Sequence, residues 1–157
     1  MRRGVGDRQM RLRPFRYADL DAVTPRDDFA REMAALSPYR RLRLVNSFAF
    51  TLERGADLAP RTILACGGVR GRRDGTWSMW CYAADLDARG WSMVSHGAEG
   101  LCRLALDTLE GRAVEMMCDT AHEGAAAFAR RLGFRADAEP PFERAGAVYQ
   151  VYVRERR

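Results

Sequence analysis

His122-Glu123-Gly124-Ala125-Ala126-Ala127-Phe128-Ala129-Arg130-Arg131-Leu132-Gly133-Phe134 is the stretch whose reading decides the fold. Its alanines favour helix, and Gly133 is the residue type that stops one, so a short helix is expected over 121–132. Upstream, Ala113 to Cys118 is an apolar run broken only by Glu115, the pattern of a central strand covered on both faces. Before that run, Trp91 to Glu110 carries Val94, Leu101, Leu104 and Thr108 on one helical face. Gly97 and Gly100 are expected to let that helix lie close against a sheet, and Gly111 to end it.

Further upstream, Phe48 to Glu53, Thr62 to Val69 and Trp77 to Ala83 read as three strands of an antiparallel meander. Asp74-Gly75 between the last two is a hairpin signal, since a type I′ turn needs positive φ at both central positions. Phe29, Met33 and Leu36 behind Asp27 and Asp28 form the stripe of an amphipathic helix. Ser37-Pro38 opens another, with Tyr39, Leu42 and Val45 expected on its buried side. Met10 to Phe15 suggests an edge strand, because Pro14 cannot donate to a ladder. Downstream, Gly146 to Arg154 closes the chain as a strand. The order is a strand, two helices, three strands, a helix, a strand, a helix and a last strand or two. It implies a mixed α+β or α/β fold, with a mostly antiparallel central sheet and helices on both faces.

The chain has 157 residues, 47% apolar and 30% charged, which suits one domain over 1–157 with a flexible extension over 1–9. The sequence contains no membrane-spanning run and no secretory leader, so a cytoplasmic location is expected. The four cysteines (Cys66, Cys81, Cys102, Cys118) lack metal-ligand or redox spacing and read as small core residues. The net charge of +5 comes from scattered arginines, the chain having no lysine, and this does not signal a nucleic-acid surface.

Three local patterns make the chain resemble the GNAT superfamily of N-acetyltransferases from about Leu12 to Val153. The first, Leu12-Arg13-Pro14-Phe15-Arg16-Tyr17-Ala18-Asp19-Leu20-Asp21, looks like the family's opening strand and its acidic entry to the first helix. In the second, Arg89-Gly90 matches the start of the pyrophosphate loop Arg/Gln-x-x-Gly-x-Gly/Ala, whereas the later glycine positions hold Ser92 and Val94. The third is the opening stretch itself, similar to the late helix Asn-x-x-Ala-x-x-x-Tyr-x-x-x-Gly-Phe. Ala125, Leu132, Gly133 and Phe134 fit that pattern, while His122 stands for the Asn and Ala129 for the Tyr.

The resemblance implies the GNAT acyl-CoA N-acyltransferase fold and acetyl-CoA as acyl donor to an amine acceptor. Its cofactor contacts would come from Tyr82, Ala83 and Ala84 on the strand beside the pantetheine, from Arg89, Gly90, Ser92 and Val94 at the diphosphate, and from His122, Ala125 and Phe128 on the late helix. Small residues there let backbone N–H groups and a helix N-terminus approach the phosphates. Acyl transfer to an amine needs a base, oxyanion donors and an acid for the thiolate. Glu115, Asp119, Asp85 and His122 are the candidate bases.

Among these we select Glu115, because a carboxylate in an apolar strand has its pKa raised; pairing with an arginine of a neighbouring strand is the alternative. His122 serves as base, replacement acid or pantetheine partner, or is an ordinary first-turn residue. His96 is assigned to the surface, and Trp77, Trp80, Tyr82 and Trp91 either line an acceptor site or form core. A second reading is a catalytically reduced GNAT-like binding or assembly protein of the kind found in tailed phages. The closing strand and its companions offer a route to a homodimer.

Overall fold

The computed structural model describes residues 9–45, 47–56 and 60–157; apart from Gln9, the N-terminal extension expected over 1–9 lies outside them. The elements run β1 (Met10–Pro14), α1 (Asp19–Ala22), α2 (Asp27–Ala34), α3 (Pro38–Val45), β2 (Phe48–Arg54), β3 (Thr62–Gly71), β4 (Thr76–Ala83) and α4 (Ala88–Arg103), which continues into a π-helical turn (Leu104–Thr108). After it come β5 (Ala113–Asp119), α5 (Glu123–Arg131), β6 (Arg135–Ala136), β7 (Phe142–Arg144) and β8 (Ala147–Glu155). One sheet has the order β1-β2-β3-β4-β5-β8-β6, with β7 also on β8. All pairs are antiparallel except β4 with β5. Pro14 is on the edge strand, where its missing N–H costs nothing.

Two apolar clusters sandwich the sheet. Met79 and Ala83 of β4 join Val94, Ala98 and Cys102 of α4 and Phe128 and Ala129 of α5 on one face. The alternate β4 residues Trp80 and Tyr82 face Leu20, Val23 and Leu44 from the α1 to α3 segment on the other. The period-two alternation of a strand thus divides β4 between two cores. All four cysteines are free thiols and three of them are buried.

Charge is also buried, in a closed network. Arg13 donates from Nη2 to Asp19 at 2.7 Å and from Nε to Glu53 at 2.7 Å, and the Thr51 hydroxyl donates to Asp19 at 2.7 Å. Burial alone would raise both carboxyls, but the hydrogen bonds from Arg13, with Thr51 on Asp19 and Arg11 on Glu53, hold them below the ordinary range.

Several expectations need correction. Tyr39, Leu42 and Val45 are exposed, and α3 buries only Leu44. At 3.6 residues per turn these three share one face, and Leu44, the residue that packs inward, lies on the other side of the helix, so their face is the solvent face. The β3–β4 turn is not type I′: among its residues only Gly75 has positive φ, and Asp74 instead accepts from both the Thr76 N–H and hydroxyl. Of the two helix glycines only Gly97 is needed for close packing, its missing Cβ position lying 2.9 Å from the Phe50 ring, whereas Gly100 faces open space. Finally, α4 begins at Ala88 rather than Trp91, because Asp87 caps it.

Candidate functional site

Neighbouring strands that part company leave a slot with unpaired backbone along both walls. β4 and β5 pair only where Thr76 to Ser78 meet Ala113 to Glu115. Beyond that, β4 continues on β3 as far as Ala83 and β5 continues on β8 as far as Asp119, so the two diverge. A cavity of about 340 Å³ opens in the gap, with Met79, Tyr82, Val94, Met116, Ala125 and Phe128 among its walls. The Ala84 N–H donates to the Leu64 carbonyl at 2.8 Å. By ladder alternation, Met79, Cys81 and Ala83 therefore direct their own N–H and C=O groups at the gap. One of these is taken: the Arg26 N–H donates to the Ala83 carbonyl at 2.8 Å, so the segment entering α2 reaches the open end of the slot.

Of the residues singled out from sequence, Tyr82, Val94, Ala125 and Phe128 line this cavity, as do Trp80 and Trp91. Val94 is a buried wall residue of α4 rather than part of a loop. Ala83 lies at the end of β4, and Ala84 has spent its N–H on Leu64. Arg89 and Ser92 project from the first turns of α4 into solvent, and Gly90 is buried there. Asp87 Oδ1 accepts the Gly90 N–H at 2.7 Å. A carboxylate thus occupies the orphan amides at the positive end of the helix, the place an anionic ligand would otherwise take. A Cβ on Gly90 would stand 3.3 Å from that Asp87 oxygen and 3.2 Å from Leu86, so the glycine also serves the cap.

Glu115 is not among the residues lining the cavity; it accepts from Arg72 Nη1 at 2.8 Å, so an arginine does pair it, but from the β3–β4 turn rather than from a neighbouring strand. Asp119 Oδ1 accepts the Ala121 N–H. His122 stands at the start of α5 with Nε2 3.7 Å from Asp28 Oδ2, and Asp85 and His96 are exposed. Ala129, at the position of the family tyrosine, is fully buried in the core and does not face the slot.

The acidic group that does enter the cavity is Glu32 of α2. Burial raises its carboxyl above the ordinary glutamate range, Asp28 and Asp119 add to the rise, and Tyr149 and Arg144 oppose it. Its neighbour Arg26 is neutralised by a two-pronged pair with Asp28 at 2.8 and 2.9 Å, and its guanidinium lies 4.8 Å from the Phe29 ring centre and 5.4 Å from that of Trp91. The sequence carried a sign of this: Glu32 falls on the stripe of Phe29, Met33 and Leu36, a carboxylate inside an apolar face.

No family model matches the chain, and no curated protein matches it in sequence. Solved structures do. An N-acetyltransferase of Staphylococcus aureus superposes with a TM-score of 0.68 at 14% identity, covering 95% of this chain and 99% of its own. The GNAT-family acetyltransferase of Bacillus anthracis gives 0.63 at 12% identity over 96% and 97%. A Salmonella typhimurium protein solved with its cofactor acetyl-CoA gives 0.64 at 13% identity over 93% of each chain. These superpositions, each over more than nine-tenths of both chains, show that the chain has the GNAT acyl-CoA N-acyltransferase fold.

Proposed function

We propose that the chain transfers an acetyl group from acetyl-CoA to the amine of a small molecule or protein. The observation that carries this reading is the parted β4–β5 pair, a slot whose free backbone groups suit the amides of a pantetheine arm. Acetyl-CoA supplies the acetyl group already activated as a thioester. The chain supplies the gap-facing N–H groups of Cys81 and Ala83 as donors to a carbonyl oxygen, a dry wall of Val94, Ala125 and Phe128, and small residues on α5 that keep the slot open. The fit is good for the acyl and pantetheine portion and poor for the diphosphate, where Asp87 already holds the amide that a phosphate would use.

His122 keeps its place in this proposal at the rim, through Asp28. For Glu115 to act as base, Arg72 must first release it. Glu115→Gln separates the two readings: turnover falls about 10²-fold if it is the base and stays unchanged if the Arg72 pair is structural. The second reading, a catalytically reduced GNAT-like binding or assembly protein, draws on Asp87 and the inward-facing Ala129. Calorimetry with acetyl-CoA, coupled to thiol release over a panel of amines, tests the first against the second: binding without turnover on any amine favours the second. Dimer formation through β6 and β7, which cover the outer edge of β8, belongs to the same proposal and is read from the molecular mass in solution.

A further inference from the structure

We infer that Glu32 is the acceptor-side catalytic residue, receiving the ammonium of a small primary amine whose body is aromatic or otherwise apolar. The chemical role rests on the acetyl-transfer reading; the binding role does not. Three observations lead to it. Glu32 is the carboxylate among the described residues lining the cavity, and the two cations that share the lining are Arg26 and Arg131. Arg26 is already matched by Asp28 and Arg131 is exposed to solvent, so the Glu32 carboxylate, which accepts one hydrogen bond from Tyr149, has acceptor capacity left for an incoming ammonium. Around it stand Phe29, Trp80, Tyr82, Trp91 and Met117, a wall with aromatic faces that attract cations and pack apolar groups. Arg26 over Phe29 and Trp91 shows two of those faces accepting a cation.

A polar diamine or polyamine would strand its second charge against this wall. A compact arylalkyl amine places one charge at Glu32 and buries the rest. A cavity of about 340 Å³ suits such a molecule beside a thioester.

The proton balance is simple. The Glu32 carboxylate takes one proton from the ammonium and becomes a carboxylic acid, freeing the nitrogen lone pair. As the new C–N bond forms and the C–S bond breaks, the second nitrogen proton leaves with the thiolate as thiol, and Glu32 returns its own proton to water. Burial of Glu32 moves it toward the range where such a base works, with Asp28 of the same helix and Asp119 of β5 reinforcing the rise. Tyr149 of β8 and Arg144 of β7 set its upper limit. Tyr82 of β4 shares this field and is itself raised, by its own burial first and by Glu32 next.

The test titrates the full chain, without acetyl-CoA, with phenethylamine and with ethanolamine. Phenethylamine is expected to bind at least about 10-fold more tightly, and Glu32→Gln to weaken it by about 10-fold or more. Equal binding of the two amines, no binding of phenethylamine, or unchanged binding by a folded Glu32→Gln protein would overturn the inference. Should Glu32→Gln fail to fold, Tyr149→Phe keeps the carboxylate and decides: the pH at which phenethylamine binding falls off on the acid side should move upward, and an unmoved limb counts against Glu32. A failure of acetyl-CoA to bind in a separate titration would sink the acetyl-transfer reading alone, and Glu32-dependent amine binding would still uphold the site.

Discussion

Asp87 Oδ1 accepts the Gly90 N–H with the nitrogen 2.7 Å away, and so closes the first turn of α4 with a negative charge. A cap is worth keeping, but a carboxylate repels a diphosphate brought to the same turn. Asp87→Ser retains a capping oxygen and removes the charge. Affinity for acetyl-CoA should then rise about two- to fivefold at low ionic strength, the scale of one charge at a helix end, and the gain should shrink with added salt. Calorimetry of the two proteins at two salt concentrations measures it; an equal or weaker affinity would mean that the diphosphate binds elsewhere.

The Arg13, Asp19 and Glu53 network makes stability fall in acid. Both carboxyls are held below their ordinary values in the folded chain, so their contribution is fully present above the unfolded pKa values of about 4 and is lost as the pH drops through the lower, folded ones. Arg13→Met takes the arginine from the buried Asp19, while Glu53 keeps Arg11 and Arg61, and should cost about 3 kcal/mol at pH 7. The cost should be smaller at pH 3, because the Asp19 carboxyl, no longer held down by Arg13 and raised by its burial, takes up a proton more readily in the variant. Urea denaturation of both proteins at the two pH values checks this, and an equal loss at both would show that Arg13 acts by packing.

Restoring the family tyrosine should not rescue anything. Ala129 is fully buried, and the Phe134 N–H donates to its carbonyl at 3.0 Å, so a phenol there must push into packed core rather than reach the slot. Ala129→Tyr is expected to lose at least about 1–3 kcal/mol with no gain in turnover. A variant that kept its stability and gained activity would place residue 129 on the slot instead.

The fold was legible where periodicity and punctuation agreed. The meander, the apolar β5 and the helix ended by Gly133 followed from local chemistry, and of the α5 residues that fit the family pattern Ala125 lines the cavity, with Phe128 beside it. The site was less legible because its chemistry is assembled across the chain. The stripe of α2 marks Glu32 as a carboxylate beside apolar residues, but its surroundings become a site only through Tyr82 and Tyr149, which come from distant strands. Glu115 carries a real signal, a charge inside an apolar strand, but Arg72 of the β3–β4 turn supplies its partner through a contact that no local pattern encodes. Asp87 carries no motif of its own, because a capping residue is recognised only once the helix start is known and the family-like Arg89-Gly90 lies two residues further on.

The central claim is that the gap between β4 and β5 receives the acyl-thioester arm. Hydrogen exchange with and without acetyl-CoA tests it directly, since amides facing an empty slot exchange and those bonded to a ligand do not. Slower exchange is expected at Cys81 and Ala83 of β4 and at Met117 of β5, whose amides face the gap, with the β1–β2 edge unchanged. Bound acetyl-CoA that leaves those amides untouched, or no slowing at saturating acetyl-CoA, would contradict it.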